Sequence, residues 1–370
     1  MASPLILASA SPGELRTALL VDGELQGAHI EREDDPEGLG DLHLGRLAAR
    51  APAMGGAFVA LVGGVTGFLP DSEGAKGRSE GEWLPVLVTR TAQGGKGPRL
   101  SLRPGAAPPQ GPLRLLSPGP EAPARLAAQH PGASVQTDSP ALAARLRAMP
   151  RLRDRVTLLR GSAFDDAVEE EFAILEQAEV PLPGGGRLSL HPTPALVAID
   201  IDAGGLAGGR DAAAHRALNG RALSEALRQI RLRHLSGAIL IDMAGLAIAR
   251  RQDLLPGLAA EAERDPLLRL LGLTGLGLVE LQRRRVHRPL HETLGQPLSP
   301  LTRVLAALRR GASAARHAPG AAMELRAAPA VVAALRQAPA ALAAFEAAAG
   351  PLRLRPDPLC AAGEEDVHAA

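Results

Sequence analysis

Three aspartates in the middle of the chain have the types and spacing for metal-assisted phosphate chemistry. The run PALVAIDID ends with Asp200 and Asp202, and the run GAILIDM carries Asp242 close to its end. Two residues apart on a strand, Asp200 and Asp202 share one face. Between the two runs lies a helical pattern with Leu223, Leu227 and Ile230 at i, i+4 and i+7. Strand, helix and strand of this length imply two parallel strands joined by a right-handed crossover. Both strands then end at the same sheet edge, where open α/β sheets place their ligands. Asp200, Asp202 and Asp242 can therefore converge although far apart in sequence. Gathered carboxylates repel unless a cation neutralises them, and a hard divalent ion such as Mg²⁺ suits oxygen donors. Topology alone leaves a plainer reading open, in which the aspartates are strand-end residues beside turns.

The elements needed to position them follow from the rest of the pattern. Residues 1–35 read as a β-meander, with Leu5–Ala8, Thr17–Val21 and Glu24–Glu31 as strands and Asp22-Gly23 as a tight turn. Residues 36–101 carry short apolar strands split by glycines: Leu42–Ala48, Ala57–Val62, Val65–Leu69 and Trp83–Thr91. That spacing predicts a small β-barrel. Residues 102–132 are rich in Pro, Gly and Ala and read as a linker or reduced subdomain. From residue 133 strands and helices alternate, through a region over 133–178 and a second over 179–295 that contains the aspartates. In the latter, Leu267–Leu273 reads as a strand and Gly277–Arg284 as a helix. Residues 296–370 read as a small α/β domain whose segment after Asp357 is expected to lack structure.

Composition sets limits on this picture. The chain has 370 residues, of which 46 % are hydrophobic and 2 % aromatic, enough apolar content for folded domains. A formal charge of +1 excludes a global basic field, so any nucleic-acid site must be a local patch. Arginines do cluster at Arg228, Arg231 and Arg233 and at Arg283–Arg285; on composition these read as solvated helix faces. The single cysteine, Cys360, rules out a disulfide framework and a cysteine-based zinc site within one chain, which fits a reducing, cytoplasmic setting. The N-terminal apolar run is too short for a signal peptide, and no membrane span is expected. The histidines form no catalytic set, and Cys360 with His368 is too isolated to act as a nucleophile pair. The loop Gly204–Arg210 is rich in glycine but lacks dinucleotide-binding spacing.

The strings HPTPALVAIDIDAGG, ALSEALRQIRLRHLSGAILIDM and LGLVELQRRRVHRPLHETLG resemble the catalytic core of the ribonuclease E/G family. ASPGELRTALLVDGEL and DLHLGRLAARAPAMGGAFVALVGGVTGFLP resemble its opening strands and its S1-type OB-fold, in the family's order. The resemblance implies a fold of the α/β (α+β) class. An OB-fold β-barrel is inserted near the N-terminus of an RNase H-like and DNase I-like catalytic region, and a small C-terminal domain follows. It implies that Asp200 and Asp242 are catalytic and hold Mg²⁺, with Mn²⁺ as an alternative, that Asp202 extends the ligand set, and that Asn219 supports the site. It places Phe58, Phe68 and Lys96 on single-stranded RNA, by base stacking and phosphate contact, whereas two phenylalanines of a small barrel would otherwise read as core.

The chain departs from the family at several points. Asp202 stands where the family has Asn. Leu116 and Ser117 stand where an Arg-Thr pair would sense a 5′-monophosphate, so 5′-end dependence is expected to be weak or absent. The zinc-binding cysteines are missing after HETLG, so no zinc is expected, and a homodimer, if formed, is not zinc-linked. The implied activity is Mg²⁺-dependent endonucleolytic hydrolysis of single-stranded RNA to 5′-phosphate and 3′-hydroxyl ends. Two rival readings remain at this point: an RNA-binding homologue with little or no nuclease activity, and an unrelated α/β metal-dependent phosphate-ester enzyme.

Overall fold

The computed structural model of the protein describes residues 3–103, 111–204, 212–316 and 321–369. Strands β1 (Leu5–Ser11), β2 (Glu14–Val21) and β3 (Glu24–Arg32) form the expected meander. Asp22 and Gly23 both take positive φ, 52° and 82°, as a tight hairpin turn of the primed kind requires.

The chain then enters a barrel of β4 (Leu42–Ala51), β5 (Gly56–Ala60), β6 (Thr66–Pro70), β7 (Trp83–Arg90) and β8 (Arg99–Leu102). These pair in the order β5-β6-β8-β7-β4, and a β4–β5 ladder closes the ring. A closed five-stranded barrel is consistent with an OB-fold. Leu47, Val59, Leu69, Val86 and Leu100 fill its interior. A further strand, β9 (Arg114–Ser117), pairs with β4; it carries Leu116 and Ser117 and lies along the barrel.

Next come α1 (Ala122–Gln129), β10 (Ser134–Thr137), α2 (Pro140–Ala148), β11 (Val156–Leu158) and α3 (Asp166–Leu175). Strands β10 and β11 add in parallel to β1, giving a five-stranded sheet of order β11-β10-β1-β2-β3. One face packs Ile6, Leu19 and Val135 against Leu142 and Leu146 of α2; the other packs Leu7 and Ala18 with Phe164 and Phe172.

The second large sheet contains β12 (Glu179–Pro181), β13 (Arg187–Pro192) and β14 (Leu196–Asp202), then α4 (Ala212–Leu232) and β15 (Gly237–Asp242). After α5 (Ile248–Arg251) and α6 (Leu255–Ala262) it closes with β16 (Leu268–Leu273) and β17 (Val279–Arg283), in the order β12-β13-β14-β15-β17-β16. Leu223, Leu227 and Ile230 of α4 pack on Val197, Ile199, Ile201, Ile239 and Ile241. The helix expected over Gly277–Arg284 is instead β17, which pairs with both β15 and β16. Its buried residues, Val279, Leu281 and Arg283, alternate. An apolar run this short does not separate strand from helix by period alone, and the turn at Thr274–Gly277 decides it by folding β17 back on β16.

The chain ends with α7 (Leu290–Leu294), α8 (Pro300–Ala315), β18 (Met323–Ala327), α9 (Pro329–Arg336), α10 (Pro339–Ala349), β19 (Leu352–Pro356) and β20 (Asp366–Ala369). The segment after Asp357, expected to be unstructured, supplies β20, which pairs antiparallel with β18 and buries Val367. Its partner lies some forty residues upstream, so no local pattern announces it. Among the described residues no single helix is long and apolar enough to cross a membrane.

Where the modules meet, His29, His234 and His287 pack with ring centroids 4.7 to 4.9 Å apart. Burial first, and then the neighbouring imidazoles, hold His29 and His234 well below the ordinary histidine value. The unfolded chain takes up protons near pH ~6.5, whereas these folded imidazoles do so only at lower pH. Their contribution to stability is therefore complete above that value and is lost as pH falls below it. Thermal unfolding is expected at a lower temperature at about pH 5.5 than at about pH 7.5, with His234→Asn narrowing the gap. An equal or higher midpoint at the acidic pH would contradict this reading.

Candidate active site

The parallel pair β14–β15 runs in register from Leu196 opposite Ala238 to Asp200 opposite Asp242. Because alternate residues face opposite ways, burial of Val197, Ile199, Ile201, Ile239 and Ile241 under α4 turns Asp200, Asp202 and Asp242 to the other face. Asp200 and Asp242 are both exposed there, side by side at the carboxyl ends of their strands. The same face carries Arg187 and Ser189 from β13, opposite Asp202 and Asp200, and Glu280 and Gln282 from β17, opposite Leu240 and Ala238.

The three carboxylates differ in their partners. Asp202 Oδ2 lies 3.0 Å from Arg187 Nη2, and its Oδ1 accepts from the Gly204 amide at 2.9 Å. Asp242 Oδ1 accepts from Arg251 Nη1 at 3.0 Å. Arg251 also donates to the carbonyls of Met243, Leu246 and Gly277, so its guanidinium ties the turn after β15 to the β16–β17 hairpin. Asp200 makes no hydrogen bond or ion pair among the described residues. Asn219, fully buried on α4, donates through Nδ2 to the carbonyls of His215 (2.7 Å) and Ala244 (2.8 Å) and accepts the Ala244 amide at Oδ1 (3.0 Å). It thereby fixes the turn that follows Asp242.

This set fits a divalent cation of the Mg²⁺ kind, which commonly takes one or two protein carboxylates and fills its remaining positions with water and substrate phosphate. Asp200 has no partner among the described residues. The Asp242 side chain is 53 % exposed, so its ion pair with Arg251 is weakly held and exchangeable. Among the described residues no third acidic, His or Cys side chain joins them in a metal-holding group. Asp202 is directed to Arg187 and to its own turn. The Gly204–Arg210 loop lies outside the described residues apart from Gly204.

On the barrel, Phe58 and Phe68 are cross-strand partners on β5 and β6, with ring centroids 5.7 Å apart at 63°. Their neighbours Ala57, Val59 and Leu69 point inward, so both rings stand partly exposed on the outer face. Lys96 is exposed in the turn before β8. Gly97 lets that turn lie against β6, for a Cβ there would fall 1.8 Å from the Thr66 carbonyl oxygen. The turn that carries Lys96 thus lies beside β6, the strand that carries Phe68. Arg187 and Arg251 were not singled out from sequence: each contact depends on strand register or on a turn, and neither leaves a spacing signal.

The comparisons with known proteins concern the central segment. Residues 137–286 match the Ribonuclease E/G family. The chain is 32 % identical over 151 residues to Ribonuclease E of Nostoc sp. (39 % of this chain, 21 % of that protein) and 37 % identical over 123 residues to Ribonuclease E of Synechocystis sp. (32 % and 18 %). It is 31 % identical over 158 residues to Ribonuclease G of Haemophilus influenzae (40 % and 31 %). These matches span about a fifth of the length of the two Ribonuclease E relatives. The central segment is therefore homologous to ribonucleases E and G, as its motifs indicate.

Asn219→Ala removes three hydrogen bonds and leaves buried backbone groups unpaired, which costs on the order of 1–3 kcal/mol. Chemical denaturation is expected to show this loss; an unchanged midpoint would mean the amide is not what holds the turn.

Proposed function

We propose that the protein is a Mg²⁺-dependent endoribonuclease that cleaves single-stranded RNA to 5′-phosphate and 3′-hydroxyl ends. The observation that carries this reading is the in-register pairing of Asp200 with Asp242 on the open face of the sheet, within the segment homologous to ribonucleases E and G. Asp200 and Asp242 are the residues that would hold the cation. When bound, it supplies neutralisation of charge on the scissile phosphate and acidification of the attacking water; Mn²⁺ is the alternative ion.

The chain's own groups do the rest. Phe58 and Phe68 offer ring faces to successive bases, and Lys96 meets a phosphate, so the barrel serves as an S1-type platform for single strands. Arg251 orients the Asp242 carboxylate, and Asn219 fixes the turn behind it. Arg187 draws Asp202 aside, which lessens repulsion between that extra carboxylate and the phosphate. The first five-stranded sheet, with its parallel β1, β10 and β11, serves as an RNase H-like support. With Leu116 and Ser117 on a barrel strand, 5′-monophosphate dependence is weak. A cytoplasmic setting and, where a dimer forms, one without zinc complete the reading.

One observation favours a second reading, an RNA-binding homologue without cleavage: both Asp202 and Asp242 are paired with arginine. Cleavage of a fluorescent oligonucleotide with Mg²⁺ and with EDTA separates the two. Asp242→Asn is expected to reduce cleavage by at least about 100-fold, since it removes a charge that the cation requires, while RNA affinity is retained. Undiminished cleavage by that variant would eliminate the metal reading.

Phe58→Ala and Phe68→Ala are each expected to weaken binding of a single-stranded oligonucleotide by about 1–3 kcal/mol, the value of one stacked base. Equal affinities for parent and variants would remove both rings from the RNA-binding reading.

A further inference from the structure

The barrel and the second sheet flank a cleft of about 820 Å³ where the end of β17 pairs with the start of β15, the strand end opposite Asp242. Six arginines line it, Arg283 and five others: Arg90 and Arg99 from the barrel, and Arg269, Arg284 and Arg285 from the second sheet and its exit. Among the described residues none of these five guanidinium groups makes a hydrogen bond or an ion pair. Arg90 Nε is buried without a partner. Burial, and then the Arg99 and Arg285 charges, hold the Arg90 guanidinium below the usual arginine range. Among the described residues Glu73 is the one acidic side chain on the lining. Arg283, also on the wall, is committed to Asp265 at 2.7 Å.

Like charges gathered and partly desolvated without counter-charges are costly, and the natural compensation is an anion. The planar guanidinium fork matches phosphate oxygens.

The placement of the cleft identifies which anion. Across the barrel, Phe58 pairs with Phe68, Phe68 with Arg99 and Arg99 with Arg90, so one row crosses four strands from the aromatic pair to the cleft. Across the second sheet, Arg269 pairs with Gln282 and Gln282 with Ala238. Asp242 lies four residues beyond Ala238 on the same open face, about 13 Å at the usual strand rise.

We infer that this arginine cleft binds phosphate groups of single-stranded RNA and guides the strand from the Phe58–Phe68 platform to the Asp200–Asp242 edge. The inference rests on the nuclease reading for the nature of the ligand. The occupant is a phosphate, which can be an internal phosphodiester or a terminal 5′-monophosphate, and the two are separable by experiment.

The test measures anisotropy of 3′-labelled single-stranded 12-mers carrying either a 5′-hydroxyl or a 5′-monophosphate, in EDTA, over a series of salt concentrations. Arg90→Gln and Arg285→Gln are each expected to weaken binding about tenfold, and each to lower the salt slope by about one, as loss of one phosphate contact does. Equal losses on both oligonucleotides assign the cleft to internal phosphodiesters; losses confined to the 5′-monophosphate assign it to the strand's end. Arg269 is exposed, so Arg269→Gln keeps the test available where a buried variant fails to fold. Relief of repulsion should leave the melting temperature of Arg90→Gln equal to or above the parent's. Affinity and salt slope unchanged in all three variants would overturn the inference.

Because binding is read in EDTA, the two proposals fail separately. Retained cleavage by Asp242→Asn removes the Asp200–Asp242 metal reading, and absence of cleavage by the parent with Mg²⁺ removes the nuclease reading, neither touching the cleft. Cleavage that needs Asp242, alongside arginine variants that bind like the parent, removes the cleft alone.

Discussion

The register of one parallel strand pair governs the candidate site. Asp200 and Asp242 stand opposite each other because β14 and β15 pair with no offset at their carboxyl ends. A slip of one residue would exchange the faces of one strand, sending its aspartate under α4 and its isoleucines to water. The apolar packing against Leu223, Leu227 and Ile230 therefore fixes the polar arrangement on the far side. Core energetics and site geometry are two consequences of one alternation.

That alternation is also why the site was readable in the sequence. The runs PALVAIDID and GAILIDM state both the strands and the face on which their acids lie, and the i, i+4, i+7 pattern states the connecting helix. The barrel was legible for a similar reason, since its strands are short, apolar and separated by glycines. Contacts made by long-range or loop-borne partners were not legible. Arg251 reaches Asp242 only through the turn that Asn219 holds, and Arg187 meets Asp202 only through hairpin register. The misread β17 and β20 belong to the same class: each is short, and each owes its conformation to a strand distant in sequence or to a turn.

The exposed but ordered character of the acids has a functional logic. A buried carboxylate pair would pay heavily for its charges in the absence of an ion. Placed on an open face, Asp200 stays solvated and Asp242 borrows Arg251. Under the proposed function, the arrangement would exchange a weak surface ion pair for a cation and a substrate phosphate. Arg251 is itself only 12 % exposed and anchored by three carbonyls, so releasing the carboxylate does not release the arginine.

The near-neutral charge of the chain takes on a different meaning at this level. With 41 basic and 40 acidic residues there is no overall attraction for a polyanion. The arginines at Arg228, Arg231 and Arg233, which read as a solvated helix face, instead pin α4. Arg228 binds Glu225 and Glu171, Arg231 binds the Gln26 carbonyl, and Arg233 binds Gln229 and the carbonyls of Gln177 and Ile174. Arg16, Arg32, Arg125, Arg283 and Arg309 are likewise matched with carboxylates. When so many cations are paired inside the fold, a group of five without partners among the described residues in one cleft is no longer explained by composition. A bulk count averages spent and unspent charges together; what a polyanion meets is set by those the fold leaves over.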